Sequence, residues 1–202
     1  RGIRTPYTRK VFHVLIFTVA GLVQLRWGLP GVVLFGSATC SVVLYAIYRG
    51  DGFPFYEAMA RQSDAPRRTL FILVPMITTA LGGLTSNLMF PGYAFVGYLV
   101  CGWGDAAGEP VGTRWGRHRF RVPSIAGVPA QRSVEGSIGV CLAGAVAASI
   151  GLVVTGLDPG TAVAIGSACG AAGALVEAFS NHGLDNLTIQ VAGSATAFVL
   201  LS

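Results

Sequence analysis

Apolar residues run along this chain in long blocks broken by turn-forming or charged stretches. Hydropathy and turn residues divide it into seven predicted helices, at about 11–27, 30–48, 69–89, 92–109, 134–155, 160–179 and 186–202. A hydrocarbon core about 30 Å thick needs about 17–25 residues of helix to cross it, and the predicted segments meet that length. Short connectors at WGLPG, FPG and GLDPG alternate with two long polar segments, YRGDGFPFYEAMARQSDAPRR and EPVGTRWGRHRFRVPSIAGVPAQR, and with a short one, SNHGLDN. The predicted fold class is all-α: a polytopic transmembrane helix bundle forming a single membrane-embedded domain over residues 1–202.

Composition makes these membrane helices. Hydrophobic residues are 52% and charged residues 11% of the chain, against about 25% charged in an ordinary soluble domain, and the mean hydropathy is +0.63. The net charge of +5 does not point to a nucleic-acid partner, because in a membrane protein the location of charge matters more than its sum. The basic opening RGIRTPYTRK resembles the flank of a signal peptide, but no small-residue cleavage site follows, so the first block is read as a retained helix. The chain begins with Arg, which suggests a trimmed sequence that does not represent any earlier helix. Cys40, Cys101, Cys141 and Cys169 stand singly in apolar stretches and read as packing residues.

If the helices simply alternate across the membrane, the N-terminal tail and the three polar segments share one face. That face carries thirteen of the fourteen Lys and Arg residues, all but Arg26, and the positive-inside rule makes it cytoplasmic, with the N-terminus inside. Every acidic residue but Asp158 maps to or near the same face. Positive-inside bias explains the arginines but not the acids. The acids therefore mark a mixed-charge site at the cytoplasmic interface.

Within GDAAGEPVGTRWGRHRF, Asp105 and Glu109 are one helical turn apart and can hold a divalent cation between them. Carboxylates near hydrocarbon are costly, and they usually face a polar cavity and serve a function. Glycines at 104, 108, 112 and 116 form a small-residue stripe for close helix packing, and at Gly108 and Gly112 it would also let a phosphate approach the backbone. Pro110 is expected to break or kink the helix. Arg114, Arg117, Arg119 and Arg121 form a cationic patch whose guanidinium forks suit phosphate oxygens. Acids followed by arginines suit a metal-bound nucleoside triphosphate, and the absence of GxxxxGK[ST] excludes a P-loop. Further along, Ser133 reads as an N-cap, Arg132 and Glu135 are spaced to pair across a turn, and Glu177, Asn181, His182, Asp185 and Asn186 crowd the last polar segment. Arg9 and Lys10 read as snorkelling anchors, and His13 as a satisfied interfacial histidine.

Taken together, GDAAGEPVGTRWGRHRF, RSVEGS and LDNLTI resemble the CTP-dependent membrane lipid kinases: the phytol, farnesol and dolichol (polyprenol) kinases and the CTP-using diacylglycerol kinase. That family is distantly similar to the CDP-diacylglycerol synthases (phosphatidate cytidylyltransferases). TRKVFH also looks like the family's first helix, so the resemblance runs from about residue 8 to 190. It implies transfer from CTP, with Mg2+, to a lipid alcohol at the cytoplasmic face, in an integral multi-pass protein. It also implies a metal position at Asp105, a K/R-S-x-E-G element at Arg132, Ser133, Glu135 and Gly136, and a D-N pair at Asp185 and Asn186. Several of these kinases have another residue where Glu109 stands, so its metal role rests on spacing. Arg132 replaces the commoner Lys.

A kinase directs a lipid alcohol at the γ-phosphorus of CTP, and a cytidylyltransferase directs a lipid phosphate at the α-phosphorus. Both need the same metal and clamp. FSNHGLDN lacks the basic residues of the synthases' C-terminal element, and LDNLTI looks like the kinases, which favours the kinase. The expected mechanism has Asp105, Glu109 and Asp185 holding Mg2+ on the phosphates, with Arg114, Arg117, Arg119 and Arg132 absorbing charge. The alcohol's proton acceptor is Asp185 or His182. A non-catalytic transporter stays as the second alternative, although the acids gather on one face instead of lining a path. Membrane lipids are expected neighbours, and the glycine stripes leave homo-oligomerisation open.

Overall fold

The computed structural model describes residues 5–61, 64–123, 130–180 and 183–202. Helices dominate: α1 (Thr5–Arg49), α2 (Pro54–Met59), α3 (Leu70–Met89), α4 (Ala94–Trp115), α5 (Val134–Val154), α6 (Pro159–Phe179) and α7 (Asp185–Leu201). Between α4 and α5 lies a two-stranded antiparallel ribbon, β1 (Arg119–Val122) and β2 (Ala130–Ser133). The helical class is as expected. Four of the described helices, α1, α3, α5 and α6, are long and apolar enough to cross a membrane. Asp105 and Glu109 make α4 less apolar, and α7 has only 17 residues.

The helical path of α1 is interrupted at Gly28, where φ is 63° and ψ is −154°. A positive φ at this point suits glycine and few other residues. A straight helix from Thr8 to Arg49 would be about 60 Å long, yet the Thr8 hydroxyl donates to the Ala58 carbonyl at 3.4 Å. The chain therefore doubles back at Gly28. The two halves, 5–27 and 29–49, are the first two predicted helices, laid antiparallel.

At the centre, α4 packs against α1, α5, α6 and α7 and supplies Phe95, Val96, Tyr98, Val100 and Cys101 to the core. It approaches α5 closely because its glycines leave room for the neighbour: a Cβ at Gly108 would lie 2.6 Å from Val140 Cγ2, and one at Gly112 would lie 2.9 Å from Ser133 Oγ. The expected break at Pro110 is not found, since α4 runs through it to Trp115. Proline there leaves the Ala106 carbonyl without its usual donor, yet the helix continues for five more residues. Outward faces of the long helices expose Leu34, Leu88, Leu142, Val154 and Leu175, the apolar surface that a hydrocarbon surrounding calls for.

The two long polar segments, read from sequence as loops, each hold an ordered element. In the first, α2 starts at Pro54 and buries Tyr56, while Arg68 clamps Asp51 and Glu57 at 2.6 Å each. In the second, β1 buries Val122 and half-buries Phe120 while Arg119 and Arg121 face out, which is the period-two alternation of a strand. Its partner β2 pairs Arg132 with Phe120 and runs straight into α5. Ser133 caps that helix as expected, its Oγ accepting from the Gly136 amide at 3.1 Å.

Candidate active site

Six long elements bring their polar ends to one end of the bundle: the N-terminal ends of α1, α3, α5 and α7, and the C-terminal ends of α4 and α6. Between them lies a cavity of about 610 Å³. A carboxylate is costly beside apolar surroundings and usually faces a polar cavity, and Asp105, midway along α4, does so here.

One side of the cavity is built on α4. Asp105 and Glu109 stand one turn apart, and the Lys10 ammonium from α1 lies 2.8 Å from Asp105 Oδ2 and 3.2 Å from Glu109 Oε2. The same ammonium donates to the Asp105 carbonyl at 2.9 Å. Arg61 reaches Glu109 Oε2 at 2.7 Å, and His13 Nε2 lies 3.4 Å from Asp105 Oδ2. The cluster is well covered, with side-chain exposures of 12% for Lys10 and 18% for Asp105. One cation thus touches both carboxylates, so the pair converges on a single cation position. Among the described residues no three acidic, His or Cys side chains gather as a metal site. Mg2+, however, is commonly held by one or two carboxylates with substrate phosphates and water completing its shell. The donor set fits that ion.

Across the cavity, Arg132 at the end of β2 pairs tightly with Glu177 on α6 through Nη1. Through Nη2 it reaches Asp185 Oδ2 on α7 at 3.1 Å and the Ser180 carbonyl at 3.4 Å. Asp185 Oδ1 accepts from the Asn186 amide at 3.0 Å, and Asn186 Nδ2 donates to Thr79 Oγ1 on α3 at 2.8 Å. The expected pairing of Arg132 with Glu135 is replaced. Residue 132 is still in extended strand, so the helical three-residue spacing does not apply to it. Glu135 instead turns to His118, whose Nδ1 lies 2.7 Å from Glu135 Oε1.

The arginine patch divides. Arg119, although exposed on the outer face of β1, borders the cavity along with Gly108, Gly112, Ser133 and Asn186. Arg114, Arg117 and Arg121 are exposed, and the Arg114 guanidinium stacks 5.3 Å from the centre of the Trp115 ring. Arg121, two residues on from Arg119, shares the exposed face of β1 with it but does not line the cavity, which a count of basic residues does not reveal. In their place the cavity takes Arg9, Lys10 and Arg61, the first two read from sequence only as anchors. The spacing of Lys10 and His13, three apart on one helix face beside TRKVFH, is the signal that points to them. His182 and Asn181 lie outside the described residues.

A second cavity, of about 440 Å³, adjoins the first. It is enclosed by both halves of α1 with α3, α4 and α7, and its walls include Phe12, Ile16, Phe17, Phe35 and Leu84. Arg9, His13, Phe71, Pro75 and Asn186 line both cavities. A charged chamber thus meets an apolar slot.

Over 195 residues the chain is 31% identical to a phytol kinase from Synechocystis sp., an alignment that covers 95% of this chain and 78% of that protein. No family model and no solved structure matches the chain.

Proposed function

Because the chain belongs to the phytol kinase family, we propose that it is a CTP-dependent kinase that phosphorylates a prenol-type lipid alcohol, with Mg2+, at the cytoplasmic face of a membrane. The long helices are proposed to cross the bilayer in alternation, with the N-terminus and the charged cavity on that face. One observation carries the reading. Lys10 bridges Asp105 and Glu109 on one wall while Arg132 joins Glu177 and Asp185 on the other. Acids that can hold a metal and cations that can hold phosphate therefore face one chamber.

Asp105 and Glu109 would hold Mg2+, while Asp185 faces the chamber from the opposite wall, where it pairs with Arg132. Bound at the α4 pair, Mg2+ would supply positive charge to offset that of the nucleotide phosphates. Lys10 and Arg61 would exchange their carboxylate partners for phosphate oxygens as the nucleotide enters. Arg119 and Arg132 take the remaining charge, while Gly108 and Gly112, whose missing Cβ makes room for Val140 and Ser133, border the chamber. Ser133 and Gly136 shape the start of α5 where it borders the chamber, with the Gly136 amide held by Ser133 Oγ. Asp185 and His182 are the two candidates for receiving the alcohol's proton.

The test uses protein purified in detergent, CTP labelled at either the α- or the γ-phosphorus, and a panel of phytol, farnesol, diacylglycerol and phosphatidate. The expected result is γ label on an alcohol, lost on chelation and restored by Mg2+. α label in a liponucleotide would make the protein a cytidylyltransferase. Absence of transfer to every lipid would overturn the enzymatic reading.

A further inference from the structure

The apolar slot plays no part in the phosphate chemistry, and its two ends differ. One end is walled by Leu29, Val32 and Val33, close to the Gly28 turn. The other meets the charged chamber at Arg9 and His13. Two buried polar atoms at this junction have no hydrogen-bond partner: Arg9 Nη1, which can only donate, and His13 Nε2, which donates in one tautomer and accepts in the other. His13 Nε2 faces Asp105 without hydrogen-bond geometry. Buried polar atoms are usually satisfied. A hydroxyl both accepts and donates, so a single alcohol oxygen suits Arg9 and either tautomer of His13.

We infer that the slot holds the hydrocarbon chain of the lipid alcohol, with its hydroxyl seated at the junction by Arg9 and His13. The identity of the occupant rests on the kinase reading. On the second half of α1 the lining runs from Leu29 to Val43, about 21 Å of helix. A volume of about 440 Å³ spread over that length leaves the width of one chain.

Gly36 lines the slot, and a Cβ there would meet nothing within 4 Å. Gly36→Phe therefore puts a ring into the slot with no clash at its Cβ. Leu34→Phe, on the exposed face of the same half-helix, is the control. Binding of tritiated phytol to the purified full chain is measured without nucleotide, together with KM for phytol and for the shorter geraniol. Gly36→Phe is expected to weaken phytol binding at least about tenfold, since excluding about two methylenes has that effect. Its KM for phytol should rise in step, with less change for geraniol, and Leu34→Phe should match the parent. Should Gly36→Phe fail to purify, Ala80→Phe blocks the slot from α3. Parent-like phytol affinity in a folded blocked variant overturns the inference. If the parent binds phytol but phosphorylates no alcohol, the kinase reading fails, and the binding comparison still decides the slot.

Discussion

Lys10 and Asp105 are 95 residues apart in sequence and 2.8 Å apart in the fold, which turns a membrane-anchor lysine into a wall of the site. The carboxylates of the chamber are compensated by the protein itself, and unevenly. Arg132 alone joins Glu177 and Asp185, whereas Glu109 has both Lys10 and Arg61. Removing one partner of a buried ion pair strands the other charge, at a cost of about 3–5 kcal/mol. Arg132→Met is therefore expected to lower stability by that order, and Arg61→Met, which leaves Glu109 paired with Lys10, by clearly less. Thermal unfolding in detergent checks the ranking, and equal losses would contradict it. At this scale Asp105, Glu109, Arg132 and Asp185 were legible because a charge in an apolar chain stands out. Arg9, Lys10 and His13 were not, because a basic residue at the start of a membrane helix has a sufficient explanation in anchoring.

Among the elements, the long helices were legible from apolar blocks and from the WGLPG and GLDPG turns. The ribbon was not, since four residues of alternation in β1 are too few to distinguish from a polar loop, and what fixes β1 is its pairing with β2. The same holds for α2, which is only six residues long and is stabilised by side chains around it. Within it, the Arg68 hydrogen bond, and then the Gly52 amide, hold the Glu57 carboxyl below its usual value. A folded value below the unfolded one means that this contribution is complete above the ordinary glutamate value of about 4.3. It is lost as pH falls through the lower folded value. The protection factors of the α2 amides, which correct for intrinsic exchange, should therefore fall only in acid, below about pH 4. Glu57→Gln should exchange faster at neutral pH and lose that acid dependence. Parent-like protection in the variant would show that Arg68 does not hold the element.

For the whole molecule, the claim is a bundle with chemistry at one end. Arg117 lies by the charged end, and Asp158, the N-cap of α6, lies at the far end of α5. With the four native cysteines replaced, a membrane-impermeant maleimide should label Arg117→Cys from the cytoplasmic side and Asp158→Cys from the other. Labelling of both from one side would contradict the crossing pattern. Alternation of spans gathered the right segments in the sequence, but it could not show that the chamber adjoins an apolar slot, because that junction depends on the hairpin at Gly28. The most direct test of the central claim is γ-phosphate transfer from CTP to phytol by Asp105→Asn, measured alongside its thermal unfolding and its phytol binding. The predicted result is a folded protein that binds phytol and has lost transfer by a factor of about 10³ or more. Transfer at the parent rate in that folded variant would contradict the account.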